Sequence, residues 1–181
     1  CLIDFAKAHP DVQLEILADD RFVDLIEENF DLAIRITRLE DSGMIAKKLN
    51  DFRVHAVATA EVVARYGPLE HPQQLSGIPF IIDTNSRWHN NIRFVERDGS
   101  MISVGVSGPI EVNSPQATLR AARAGLGVAI VPDFIAEPSI QSGELVALFD
   151  DGFYLVRESG ERIRYDLSVL EGHTAHPYNS H

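Results

Sequence analysis

Two short stretches of this sequence hold polar side chains where a small molecule could be met. Thr37-Arg38 follows the apolar run Asp31 to Ile36, and Asn113-Ser114 stands directly before Pro115 and a helical pattern. Hydroxyls and amides donate and accept hydrogen bonds, and a guanidinium holds a carboxylate through two parallel N–H groups. The chemistry on offer is recognition of a small polar ligand, a carboxylate or other anion above all. Taken singly, these residues have plainer uses, Asn113 or Ser114 as a helix cap and Arg38 as a solvated loop cation. Both stations together, on separate parts of the chain, favour a shared cleft.

Catalytic patterns are missing. The sequence has no G-x-S-x-G elbow, no G-x-x-x-x-G-K-[ST] phosphate loop and no G-x-G-x-x-G fingerprint, and Gly125-Leu126-Gly127 reads as the closing turn of a helix. His173, His176 and His181 lie in the C-terminal tail without an acidic or thiol partner at ligand spacing, so no metal site is assigned. Asp19-Asp20 and Asp150-Asp151 read as solvated turn and cap residues, and Trp88 as packing under the polar loop 84–91. The expectation is a binding module, not an enzyme, with no cofactor.

The elements that must position these residues follow from periodicity. A helix over 2–8 stops at His9-Pro10-Asp11. Val12, Leu14 and Ile16 alternate with polar residues as a strand, Asp19-Asp20 can cap a helix over 21–29, and 31–36 reads as a second strand. Strand, helix and strand so close together imply a parallel pair with a right-handed crossover. Strands at 44–49 and 52–58 and a helix at 60–66 follow. The segment 67–77 (GPLEHPQQLSG) is the best candidate for a first interdomain crossing.

Beyond it come a strand at 80–83 and a hairpin, 92–97 with 101–106, turning on the two residues Asp98-Gly99. A second unit is a strand at 109–112, a helix from Pro115 to Ala124 closing on Gly125, and a buried strand at 128–131 stopped by Pro132. A weaker helix at 134–141 and strands at 145–149 and 164–170 complete the chain, the last running back toward the first half. In open α/β sheets the ligand lies beyond the carboxyl ends of the strands, where helix N-termini present unpaired amides. Thr37-Arg38 and Asn113-Ser114 both occupy such places.

Composition narrows the class. Of 181 residues, 27 are acidic and 16 basic, a formal charge of −11, and Lys47-Lys48 is the only adjacent basic pair. Such a chain is a poor grip for nucleic acid, which is bound through clustered Lys and Arg. A hydrophobic share of 45% with 24% charged residues is that of an ordinary globular chain. The single cysteine, Cys1, rules out an internal disulfide. Apolar runs such as Val128 to Val131 fall far short of the roughly 20 residues a membrane helix needs, so no membrane is expected. The opening Cys1-Leu2-Ile3-Asp4-Phe5 looks like the inside of an element, and the chain is expected to be a piece of a longer protein.

The order of these elements, with FAKAHPDV (Phe5 to Val12), DLAIRITR (Asp31 to Arg38), Val112 to Ser114 at a helix start and above all AGLGVAIVP (Ala124 to Pro132), resembles the effector-binding domain of LysR-type transcriptional regulators. The likeness spreads over essentially the whole chain. It implies an α/β fold of two Rossmann-like subdomains, similar to a type 2 periplasmic binding protein, with two hinge crossings and a cleft between the lobes. Subdomain I would be 1–73 completed by about 170–181, and subdomain II 74–169. The family's cleft positions fall here on Thr37, Arg38, Asn113, Ser114, Val131 and Pro132, with Thr59 near the hinge. A small-molecule effector there would shift the conformation of a homodimer or tetramer. The helix at 2–8 of one copy would meet the helix at 116–124 of another through Leu2, Phe5, Leu119 and Arg123. The resemblance further implies a cytoplasmic protein that reaches DNA only through a winged helix-turn-helix absent from this chain. The family's first strand is also absent before Cys1, and its last helix after His181. A periplasmic solute-binding protein of the same two-lobed fold is the rival reading. The effector, the promoter and the sign of regulation are left open.

Overall fold

The structure, a computed structural model, describes residues 2–18, 30–37, 45–85, 90–149, 153–155 and 165–171, and for 35–37, 45–52, 153–155 and 165–171 the backbone alone. In chain order the elements are α1 (Leu2–Ala8), β1 (Leu32–Thr37), β2 (Ile45–Phe52), β3 (Val54–Ala58) and α2 (Ala60–Tyr66), then a 3-10 helix at Pro72–Gly77. They continue with β4 (Pro79–Asp83), β5 (Asn91–Glu96), β6 (Met101–Gly105), β7 (Ser107–Val112), α3 (Pro115–Arg123), β8 (Val128–Pro132), α4 (Asp133–Gln141), β9 (Val146–Leu148), β10 (Phe153–Leu155) and β11 (Tyr165–Glu171).

The strands form three sheets. The central one has the order β7-β4-β8-β3-β9, a second is β1-β11-β2, and a third is β10-β5-β6. In the central sheet β4 runs parallel to both β7 and β8, while β3 is antiparallel to β8 and β9. Successive strand residues point to opposite faces, and the apolar runs of β3, β4 and β8 use both. Ala56, Ala58, Phe80, Ile82 and Val128 join Ile92, Phe94, Ile102 and Val104 of the β5-β6 hairpin in one core. Val57, Ile81, Ala129 and Val131 join Ala121 and Ala122 of α3 and Ala136 of α4 in another. A sheet covered on both faces explains why these strands read as continuous apolar runs rather than alternating ones.

Glycines let the strands close up. A Cβ at Gly108 would fall on the Phe80 carbonyl, and one at Gly127 on the Pro79 carbonyl, so β7 and β8 flank β4 only because both positions lack a side chain. Gly125, at φ +74°, ends the turn that follows α3. The two glycines of the AGLG run thus have separate tasks.

Three expectations need correction. Residues 13–18 form no strand, and Val12, Leu14 and Ile16 are exposed, so no parallel partner for β1 exists among the described residues. Described neighbours of β1 reduce to antiparallel β11; alternation supplies a face for a strand but not a partner. The expected helix 21–29 and its Asp19-Asp20 cap lie outside the described residues.

The chain also changes sheets earlier than the Pro- and Gly-rich segment suggested. β2 pairs with β11, β3 pairs with β8 and β9, and Arg53 alone separates β2 from β3. Residues 67–77 pack on the side of the central sheet, Leu75 joining the core of β3, β4 and the β5-β6 hairpin. There His71 Nδ1 accepts from the Gln73 amide, the His71 amide donates to Gln74 Oε1 at 2.8 Å, and Pro72 and Leu75 are buried. Apolar burial overrides the punctuation of the prolines. The strand expected at 164–170 is present as β11, which pairs with β1 and β2.

The hairpin turn differs as well. The Gly99 amide donates to the Glu96 carbonyl and the Glu96 amide to the Ser100 carbonyl, with Gly99 at φ +89°. That is a three-residue loop, Arg97-Asp98-Gly99, with glycine in the left-handed position, rather than a two-residue turn. Ser100 fixes it by donating its amide to Asp98 Oδ1 at 2.8 Å. This bond, with a further one from the Ser100 side chain, holds the Asp98 carboxyl below its ordinary value of 3.8.

Candidate functional site

Strand direction decides which residues meet. Since β4 is parallel to β7 and β8, their carboxyl ends open on one edge of the central sheet. Antiparallel β3 brings its first residue to that edge too, since Val54 pairs with Pro132. The edge therefore carries Thr84-Asn85 after β4, Asn113-Ser114 after β7, Pro132-Asp133 at the end of β8, and Arg53 before β3.

Hydrogen bonds across the edge hold its loops in register. The Thr84 amide donates to the Val112 carbonyl at 2.7 Å, and the Asn85 side chain donates to the Asn113 carbonyl at 2.5 Å. Asn85 is itself steadied by donating its amide to Asp83 Oδ1 at 2.9 Å. Just beyond, Ser114 adopts the extended conformation of an N-cap, yet its hydroxyl caps nothing; it donates at 3.3 Å to Gln116 Oε1. Pro115 supplies no amide, and no side chain among the described residues caps the first turn of α3. Buried Thr118 fixes the Ser114 carbonyl from both its amide, at 2.9 Å, and its hydroxyl, at 3.1 Å. Among the described residues, the arrangement is a helix start whose first amides take no side-chain cap, at the positive end of the helix dipole and flanked by two asparagines and a hydroxyl.

Of the expected site, Asn113, Ser114 and Pro132 thus share one edge of the central sheet, with β4 between β7 and β8. Val131 does not join them: it is 0% exposed, packed with Val57 and Ile81 in the core under α3 and α4, because alternation along β8 turns it inward. Thr59 is also separated. It follows the carboxyl end of β3, which runs opposite to β8, so it lies at the far edge, beside Gly125 after the C-terminal end of α3. Its hydroxyl caps α2 by accepting from the Val62 amide at 3.3 Å. Thr37 ends β1 opposite Asp166, and Asp166 pairs with Asp51, two residues before Arg53. The backbone register sets the end of β1 at the level where the chain crosses to the central sheet. Arg38 and Trp88 lie outside the described residues, as do Asp150, Asp151 and the three C-terminal histidines.

Asn85, Thr84, Asp133 and Arg53 were not singled out from the sequence. The strand-end rule applied to 80–83 would have found Asn85, whereas nothing local marks Arg53. Of the residues expected between copies, Leu2 and Phe5 are exposed on α1. Leu119 is half-buried against the core, and Arg123 pairs with Glu144 at 2.7 Å. Among the described residues no group of three His, Cys, Asp or Glu could hold a metal ion, and no helix is long and apolar enough to cross a membrane.

Comparison with known proteins places this geometry in context. A family model for the LysR substrate binding domain matches residues 1–163. The HTH-type transcriptional regulator PtxR of Pseudomonas aeruginosa is 37% identical over 179 residues, covering 93% of this chain and 57% of its own length. CrgA of Neisseria meningitidis, another HTH-type regulator, is 26% identical over 144 residues, with 80% of this chain and 48% of its own covered. Among solved structures, the full-length Vibrio cholerae virulence activator AphB superposes with a TM-score of 0.80 at 19% identity, over 95% of this chain and 56% of its own. The effector domain of AmpR of Pseudomonas aeruginosa gives 0.62 at 22%, over 96% and 80%. These superpositions establish a periplasmic-binding-protein-like α/β fold. The chain spans about half the length of the curated relatives it matches.

Proposed function

The chain belongs to the LysR substrate-binding domain family, and from that premise we propose that it is the small-molecule-sensing part of a transcriptional regulator, its ligand held at the edge where β4, β7 and β8 end. The observation that carries this reading is the start of α3, uncapped by any side chain among the described residues, with Ser114 and the Asn85-stapled Asn113 beside it. Open first-turn amides and a helix dipole favour an anion, so the ligand is a small carboxylate or a related anion. Thr37 and Arg38 would close on it from the β1 side, Arg38 pairing bidentately with the carboxylate. Two lobes dividing at Arg53 would change relative orientation as the ligand binds, and the ligand would favour one orientation by its differential affinity. In the whole cytoplasmic protein, pairs of copies joined through α1 and α3 would pass that change to a DNA-binding segment outside this chain.

A thermal-shift screen of small mono- and dicarboxylates tests the reading. A ligand at a hundred times its Kd stabilises by about 2.7 kcal/mol, which in a chain of this size raises Tm by roughly 5–10 °C. Arg38→Ala with Ser114→Ala should abolish that rise and leave the unliganded Tm nearly unchanged. An undiminished rise in the double variant refutes the site.

A further inference from the structure

Where β8 gives way to α4, one residue bonds twice to the crossing strand. The Asp133 amide donates to the Arg53 carbonyl at 2.9 Å, and Asp133 Oδ2 accepts from the Arg53 amide, also at 2.9 Å. The two residues are 80 positions apart in sequence. In an antiparallel ladder, alternate residue pairs exchange both an N–H and a carbonyl. Asp133 opens α4, so its own carbonyl turns into the helix and its side chain stands in as the acceptor. Val54–Pro132, the pair before it, then falls on the non-hydrogen-bonded position, where a residue lacking N–H loses nothing toward β3.

The same carboxylate has a second bond. Asp133 Oδ1 accepts from the Phe134 amide at 2.7 Å, in the first turn of α4, where the helix dipole favours negative charge. One side chain therefore ties the first turn of α4 to Arg53, the single residue between the sheet of β1, β11 and β2 and the central sheet. We infer that Asp133 is a clamp on this crossing, setting the angle at which the chain leaves one sheet for the other and carrying any movement of the β8–α4 junction into the hinge. Bond for bond it replaces what a regular strand would have supplied by backbone alone, in a place where the backbone must begin a helix.

The clamp is testable on the chain without any ligand, so its failure is distinct from failure of the binding site. Amide hydrogen exchange is measured in the wild type, Asp133→Ala and Asp133→Asn, with residual dipolar couplings reporting how the amides of 32–37 align relative to those of 54–58. Asp133→Ala should speed exchange at Arg53 by roughly tenfold, the worth of one charge-assisted bond at a partly exposed place. Val57 and Ala129 should keep their rates, and the relative alignment of the two sheets should change. Asp133→Asn retains one acceptor oxygen, so Arg53 or Phe134 should lose protection while the fold is kept, which carries the test if the alanine variant does not fold. The clamp is overturned by unchanged exchange at both Arg53 and Phe134, by equal acceleration at Val57 and Ala129, or by identical couplings in a folded variant.

Discussion

Replacing Gly127 by alanine should remove a large part of the stability of the central sheet, although it adds a single methyl group. The new Cβ would overlap the Pro79 carbonyl oxygen, 2.6 Å from its carbon and 3.2 Å from the Phe80 nitrogen. All three are backbone atoms of β4 and cannot rotate away, so β8 must part from β4 where Phe80 pairs with Val128. Overpacking of this kind costs about 1–3 kcal/mol. One or two strained ladder bonds add about 0.5–1.5 kcal/mol each. The resulting total of roughly 2–6 kcal/mol compares with a whole stability of about 5–15 kcal/mol, and it lowers Tm by roughly 5–20 °C. Gly77→Ala is the control, because a Cβ there meets nothing within 4 Å and its φ is ordinary. Restricting the unfolded chain should make that variant as stable as the wild type or about 0.4–1 kcal/mol more stable. Gly99→Ala isolates the third effect, a positive φ of +89° in open space, at about 1 kcal/mol. Thermal melts followed by circular dichroism rank the three. A Gly127→Ala melt within about 2 °C of the wild type would refute the close approach of β8 to β4.

Thr59→Ala should cost about 0.5–1 kcal/mol through the lost cap on α2 and leave any ligand response intact, whereas Ser114→Ala should cost less stability and weaken the response; thermal shift with and without a carboxylate hit reads both. The Asp98 carboxyl should titrate below 3.8 by NMR. Because its folded value is depressed, the turn gains stability above the unfolded value, and that gain is lost as pH falls through the folded one; Asp98→Asn should remove this pH dependence. Leu2→Glu with Phe5→Glu should turn a dimer into a monomer in sedimentation at micromolar concentration without lowering Tm, since both side chains are already exposed; a wild-type chain that is monomeric there counts against the α1–α3 pairing.

Elements with strong local periodicity were legible in the sequence. The helices at 2–8, 60–66 and 115–124, the strand at 128–131 and the returning strand at 164–170 all appear within a few residues of their expected bounds. What periodicity could not reveal was partnership. Val12, Leu14 and Ile16 alternate as a strand should, but a strand exists only with a ladder beside it, and none is present among the described residues. Likewise the passage from β2 to β3 hangs on one residue of no special type, Arg53, while the conspicuous segment 67–77 is anchored through buried Pro72 and Leu75 on the side of the central sheet. Punctuation marks where a chain bends, and pairing alone decides which sheet it serves.

Two of the hydroxyl residues expected at the site show the same division most sharply. Thr59 and Ser114 each precede a helix, each adopts the extended conformation of an N-cap, and from sequence each could either cap or bind. Direction separates them first: β3 runs against β8, so Thr59 is delivered to the edge where α3 ends, and Ser114 to the edge where α3 begins. Chemistry separates them next. The Thr59 hydroxyl is consumed by the Val62 amide, whereas that of Ser114 leaves the α3 amides uncapped. A capped helix start has its donors satisfied and little left for a ligand. The start of α3, which no side chain among the described residues caps and which is bonded to Thr118 below and to Asn85 alongside, keeps donors for a ligand, and that makes the Ser114 edge, not the Thr59 edge, the place to test for ligand binding.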